Sequence, residues 1–222
     1  MLENRDAVVI EPTGEVRSVV IWLHGLGADG HDFEDIIPQL ALPKDHGIRF
    51  IFPHAPLQAV TINGGMKMRA WYDIQQLDLT REVDGQGIAQ SVKWLKALLD
   101  QQVADGIAME RMMIAGFSQG GVIALHTGLQ TETPLAGIVA LSTYLPALPT
   151  DQIKQPRRCP IFMAHGSMDP VVAYEHAQNA LAQLQAFGFS PSWHEYPMQH
   201  QVCMAEIDAL SEFMQQNLIK NQ

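Results

Sequence analysis

Ser118 lies in GFSQGG, Gly116 to Gly121, with glycines two residues before it and two after it. A serine hydroxyl is a weak nucleophile at neutral pH. It needs a base to take its proton and donors to hold the oxyanion that forms. The G-x-S-x-G pattern alone suits a tight turn equally well, but its surroundings distinguish the two. The apolar run MMIA precedes it and the helix-like run VIALHTGL follows it, which is the strand–turn–helix context of a nucleophile elbow. Small neighbours let strand and helix pass closely around a strained serine. A helix beginning near Gln119 aims its free N–H groups and positive dipole end at the site, and both favour an oxyanion.

Two donors are needed. The backbone N–H of Gln119, the residue after the serine, is the first. The second is expected in WLHGLGADG, residues 22–30, where a strand ends at Leu23 and glycines let the backbone approach a substrate; Leu26 is the expected donor. The same glycines also suit a turn leading into a helix, with Asp29 or His31 near its start, and both readings hold together. No G-x-x-x-x-G-K-S/T occurs, so there is no phosphate loop, and no G-x-G-x-x-G opens a helix after the first strand with a later acidic partner, so a dinucleotide site is not expected. His24, Asp29 and His31 match no standard metal-ligand spacing.

Nine histidines could serve as the base. In sheets that carry such an elbow, chain order runs serine, acid, histidine, which removes His24, His31, His46 and His54. His126 falls two turns along the helix after the serine and should point away from it. His165 ends a strand and should shape the turn that presents the acid. His176 is expected on a helix in solvent, and His194 inside a strand. His200 remains, in YPMQHQV, between the last strand and the last helix. That loop is expected at the carboxyl end of the sheet, where a base can turn onto the serine hydroxyl. In HGSMDPVV, Asp169 follows a strand and precedes Pro170, which restrains the chain. Its carboxylate could accept from Nδ1–H of His200 and hold the reactive tautomer. Asp73 and Asp84 precede the elbow and fail the order.

The elements that must position these residues read as alternating strands and helices. RSVVIWLHG (17–25), IRFIFPHAP (48–56), RMMIAGF (111–117), LAGIVALS (135–142) and CPIFMAHG (159–166) are short apolar runs, as expected of strands buried on both faces. SPSWHEYP (190–197) is a sixth strand and AVVIEP (7–12) an edge strand. Helical stripes fall on Ile88, Val92, Leu95 and Leu99; on Ala177, Leu181 and Leu184, with Gly188 as C-cap; and on Cys203, Ile207, Leu210, Met214 and Leu218. The pattern predicts an α/β protein: a mostly parallel sheet flanked by helices on both faces, as one domain over 1–222. From His54 to about Asp84 no helix is visible. A connection that long is expected to be a lid or a binding loop, and VTINGG (60–65) could close a small hairpin in it.

Bulk composition narrows the partners. Fourteen basic against twenty-four acidic residues give a formal charge of −10, which disfavours nucleic acid and anionic membrane surfaces. Two cysteines make no disulfide framework. The start, MLENRDAVVIEP, lacks an apolar signal-peptide core, and no run reaches the length of a membrane span. The expected location is cytoplasmic.

Taken in order, WLHGLGADG, VTINGGMKMRAWYDI, the D-x-x-G-I of Asp84 to Ile88, GFSQGG, LSTYLP, HGSMDPVV and MQHQV give the chain a resemblance. From about Val19 to Leu218 it resembles the carboxylesterase/acyl-protein thioesterase (lysophospholipase) family of α/β-hydrolases, particularly its bacterial carboxylesterases. The resemblance implies a Ser118–His200–Asp169 triad, oxyanion donors at Leu26 and Gln119, and no metal or cofactor. It implies no large helical lid, and an acyl groove bordered by the long segment 54–84 around Met68, Trp71 and Leu77. It also implies substrates among small acyl esters, lysophospholipids and S-acylated proteins, and allows a weak homodimer. Thr143 and Gln199 stand where related chains vary, which bears on acyl-chain preference. A non-catalytic acyl-binding protein on the same fold, a peptidase and a dienelactone hydrolase are the rival readings. The last usually presents cysteine where this chain has Ser118.

Overall fold

Val19, Ile21 and Leu23 enter the core on one side of a strand while Val20 and Trp22 enter it on the other, all at 0–1% exposure. Only a strand covered on both faces buries consecutive residues in this way. The computed structural model describes residues 7–76, 83–146, 148–154 and 159–219. In chain order the strands are β1 (Ala7–Ile10), β2 (Ser18–Leu23), β3 (Ile48–Pro53), β4 (Leu57–Val60), β5 (Met66–Arg69), β6 (Met112–Phe117), β7 (Gly137–Leu141), β8 (Ile161–Gly166) and β9 (Ser192–Tyr196). The helices are α1 (Gly85–Ala104), α2 (Gln119–Leu129), α3 (Tyr174–Ala186) and α4 (Met204–Met214). Seven strands form one sheet in the order β1-β3-β2-β6-β7-β8-β9, parallel except for the antiparallel edge strand β1. This is the α/β architecture that the alternation predicts.

Helices α1, α2 and α3 cover one face, and α4 covers the other with a 3₁₀ segment, Glu34–Leu40. Ile88, Val92, Leu95 and Leu99 of α1 are at most 4% exposed. Burial of each such side chain contributes about 1.5–3 kcal/mol. Asp84 caps α1, its side chain accepting from the N–H of Gly87 at 2.9 Å. Helix α2 has no stripe, because all eleven of its residues are buried. The segment after the first glycine-rich loop is 3₁₀ rather than α-helical; Pro38 inside it lacks the N–H that an α-helix would use.

The long connection does contain a hairpin. β4 and β5 pair antiparallel, and Gly64 and Gly65 turn the chain at φ 66° and 78°. Asp73 ties the turn down, accepting from the N–H and hydroxyl of Thr61 at 2.7 and 2.6 Å.

Glu206, in the first turn of α4, is fully buried, and neither carboxyl oxygen reaches a hydrogen-bond partner of ordinary geometry among the described residues. Burial pushes its carboxyl up to about 8, the Cys203 N–H giving only partial relief. An unfolded chain ionises this group near 4.5. Stability therefore falls as pH rises from about 4.5 to 8 and levels off above. Glu206→Gln removes this contribution. Its Tm should decline less than the parent's between pH 5 and pH 8, by roughly 5–10 °C, in thermal melts at each pH.

Candidate active site

Ser118 stands between β6 and α2 at φ 53°, ψ −119°. A non-glycine residue there carries about 1–3 kcal/mol of strain, sustained only by rigid surroundings. Those surroundings are visible. The Ser118 N–H donates to Leu141 O at 2.9 Å, and its carbonyl accepts from Thr143 Oγ1 at 2.7 Å and from the N–H of Gly121 at 2.9 Å. The glycines follow from close backbone approach. A Cβ on Gly116 would stand 2.3 Å from Gly120 O, and one on Gly120 2.3 Å from Leu23 O.

β2 is hydrogen-bonded directly to β6, with Leu23 opposite Gly116, so the loop after β2 lies beside the elbow. A Cβ on Gly25 would come 3.5 Å from Ser118 Cβ. The N–H groups of Leu26 and Gln119 have no acceptor among the described residues. His24, not foreseen as part of this site, fixes the loop. Its Nε2 accepts from the N–H of Ala55 at 3.0 Å, so the proton sits on Nδ1, which donates to Gly25 O at 2.7 Å. Burial lowers its pKa to about 4, so the ring keeps this neutral, bidentate form. A histidine before glycine at the end of a buried strand was the available signal.

Asp169 and His200 come from the loops after β8 and β9, neighbouring strands that bring Gly166 opposite Tyr196. His200 Nδ1–H donates to Asp169 Oδ2 at 2.7 Å. The other oxygen, Oδ1, accepts from the N–H groups of Val171 and Val172 at 2.8 and 2.9 Å. Burial alone would raise this carboxyl, but the bonds from His200, Val172 and Val171 together hold it below its ordinary range. Fully buried His165 braces the turn, its Nε2–H donating to Val172 O at 2.9 Å and lying 3.6 Å from Asp169 Oδ2. The His200 ring lies 4.7 Å from that of Phe117, the residue before Ser118. Asp169 is not the cap of α3, which begins only at Tyr174.

Of the residues expected beside an acyl chain, Met68 is half-buried in β5, near enough that a Cβ on Gly27 would lie 3.8 Å from its sulfur. Trp71 is 1% exposed and packs against His24 and Trp94, so its side chain meets protein rather than an open groove. Leu77 lies outside the described residues. His126 is buried within α2, and His176 is half-buried near Tyr144 rather than in solvent. Burial pushes the Cys159 thiol up to about 12, leaving it unreactive.

A mostly parallel sheet, a strained serine between strand and helix, and an acid and a histidine on later strand ends define the α/β-hydrolase fold. Residues 4–218 match the phospholipase/carboxylesterase family, and the chain belongs to it. It is an enzyme, a hydrolase of the carboxylic ester and thioester class. Acyl-protein thioesterase 1 of Neurospora crassa is 36% identical over 99% of this chain and 94% of its own. The protein of that name from Mycosarcoma maydis is 37% identical over 94% and 95%. Among solved structures, acyl-protein thioesterase 2 of Zea mays superposes with a TM-score of 0.85 at 28% identity, covering 96% of this chain and 99% of that one. Arabidopsis thaliana SOBER1 gives 0.85 at 30%, covering 91% and 99%. No helix among the described residues is long and apolar enough to cross a membrane.

Proposed function

We propose that this protein cleaves carboxylic esters and thioesters of acyl chains through an acyl-enzyme on Ser118, with His200 as base and Asp169 as its orienting acid. The 2.7 Å bond from His200 Nδ1–H to Asp169 Oδ2 carries the reading, because it leaves Nε2 unprotonated and able to accept the serine proton. Ser118 Oγ attacks the acyl carbonyl as His200 takes its proton. The N–H groups of Leu26 and Gln119 hold the oxyanion. Collapse expels an alcohol protonated by His200, or a thiolate, in which case the His200 imidazolium passes its proton to the departing sulfur or to solvent; either way Nε2 is free again. Water activated by His200 then releases the carboxylic acid.

The curated relatives are named acyl-protein thioesterases. S-acylated proteins are accordingly the proposed substrates, with lysophospholipids and small acyl esters as alternatives processed at the same serine. The segment 54–84 borders the acyl chain in this reading. Cys159 and Cys203 are unpaired, which suits the reducing cytoplasm where we place the protein. The test is kcat/KM against acyl length from two to sixteen carbons, on matched oxygen esters and thioesters. We expect a maximum at eight carbons or more, with thioesters at least equal to esters. A preference for acetyl esters and no thioester cleavage would overturn the substrate assignment while leaving the serine mechanism intact.

A further inference from the structure

Gln119 is 1% exposed, and its side chain does as much as its backbone. Its Oε1 accepts from the N–H of Trp71 at 2.8 Å, and its Nε2 donates to Tyr72 O at 2.7 Å. The carboxamide therefore ties down residues 71 and 72 together. A primary amide offers an acceptor and a donor at that spacing without needing to be protonated, and only one orientation of it satisfies both partners.

The same short segment holds the opposite side of the site. Arg69 O accepts from the N–H of Gly27 at 2.8 Å, one residue after Leu26. The Trp71 indole N–H donates to His24 O at 2.9 Å, two residues before Leu26. Ser91 Oγ pins the segment from behind by donating to Trp71 O. Residues 69–72 thus connect the two loops that carry the free N–H groups of Leu26 and Gln119. They also continue directly from β5, half of the hairpin in the long connection.

We propose that the Gln119 carboxamide and the Trp71 indole are positioning residues. Through residues 69–72 they set the separation of the Leu26 and Gln119 N–H groups, and they make hairpin and oxyanion hole one rigid unit. The inference rests on the reading of Ser118, Leu26 and Gln119 given above. Neither side chain touches the reacting atoms. Donors preset where charge develops are effective because they need no reorganisation during reaction, and a displacement of about 1 Å costs on the order of 10²-fold.

Gln119→Leu keeps the backbone N–H but breaks both side-chain bonds, and Trp71→Phe keeps an aromatic ring but removes the indole donor. Each should be titrated with a fluorophosphonate, so that rates refer to active sites, and assayed on p-nitrophenyl butyrate. For Gln119→Leu, kcat should fall about 10- to 100-fold with KM within about twofold. An alkyl trifluoromethyl ketone, which forms a tetrahedral oxyanion on the serine, should bind more weakly by the same factor as the fall in kcat/KM. Trp71→Phe should move both quantities in the same direction by a smaller factor, and the double variant should lose less than the product of the single losses.

A lower Tm with full kcat per titrated site and unchanged ketone affinity would show a merely structural role and overturn the proposal. So would a loss confined to KM. If Gln119→Leu fails to fold, Trp71→Phe decides alone: parental kcat and ketone affinity overturn the proposal. An unmodified Ser118 in fluorophosphonate-treated parent protein would instead overturn the functional reading, so the two failures are distinguishable.

Discussion

Ser118→Ala is expected to lower kcat on p-nitrophenyl butyrate by about 10⁴- to 10⁶-fold while leaving the fold intact. The loss is this large because, in the proposed mechanism, alanine leaves His200 no hydroxyl to deprotonate. The Cys159 thiol is buried and protonated, and water would have to attack without forming the acyl-enzyme. Stability should hardly change. The serine side chain makes no capping hydrogen bond to α2, and the φ of 53° strains alanine as it strains serine. Steady-state kinetics with a thermal melt on the same preparation provide the measurement. Hydrolysis at the parent rate by a folded Ser118→Ala protein would remove the serine from the mechanism.

Asp169→Asn is expected to lower kcat by about 10³- to 10⁴-fold with little change in KM. The replacement is nearly isosteric, so the effect is one of proton placement. Asp169 Oδ1 faces two donors, the N–H groups of Val171 and Val172, and an asparagine would turn its carbonyl oxygen to them. Its amide nitrogen would then face His200 Nδ1 at the position that Oδ2 now holds. Two donors cannot share that contact, so Nδ1 becomes the acceptor and the imidazole proton moves to Nε2. A histidine protonated on Nε2 cannot take a proton from serine. Imidazole ¹⁵N shifts at neutral pH should report the change of tautomer, and a parental kcat would rule out the role given to Asp169.

Several site assignments needed nothing beyond the chain. Strands buried on both faces, such as Val19 to Leu23, are unbroken apolar runs in the sequence, and the stripe of α1 repeats with helical spacing. The elbow glycines, the late histidine and the aspartate before Pro170 are local features of type and spacing. Chain order and strand-end position together then chose His200 over eight other histidines without coordinates. Other features were hidden for a physical reason: they depend on which distant groups meet. The 3₁₀ segment after the first loop is the exception, since its cause, Pro38, is local. The burial of Trp71 and the tautomer of His24 rest on hydrogen bonds across 47 and 31 residues of chain, whereas the bracing of the acid's turn by His165 was expected from its place at a strand end.

The sequence by itself determined the α/β alternation and nominated one serine, one acid and one base, because periodicity and backbone-permissive glycines are properties of neighbouring residues. Only the tertiary structure decided how those groups are held. It gave Asp169 two backbone donors on one oxygen and His200 on the other. It also turned Gln119, which the sequence reading valued only for its N–H, into a side-chain link between the hairpin and the elbow. Such links join segments tens of residues apart, and no local pattern can encode a partner that the fold alone brings within 3 Å.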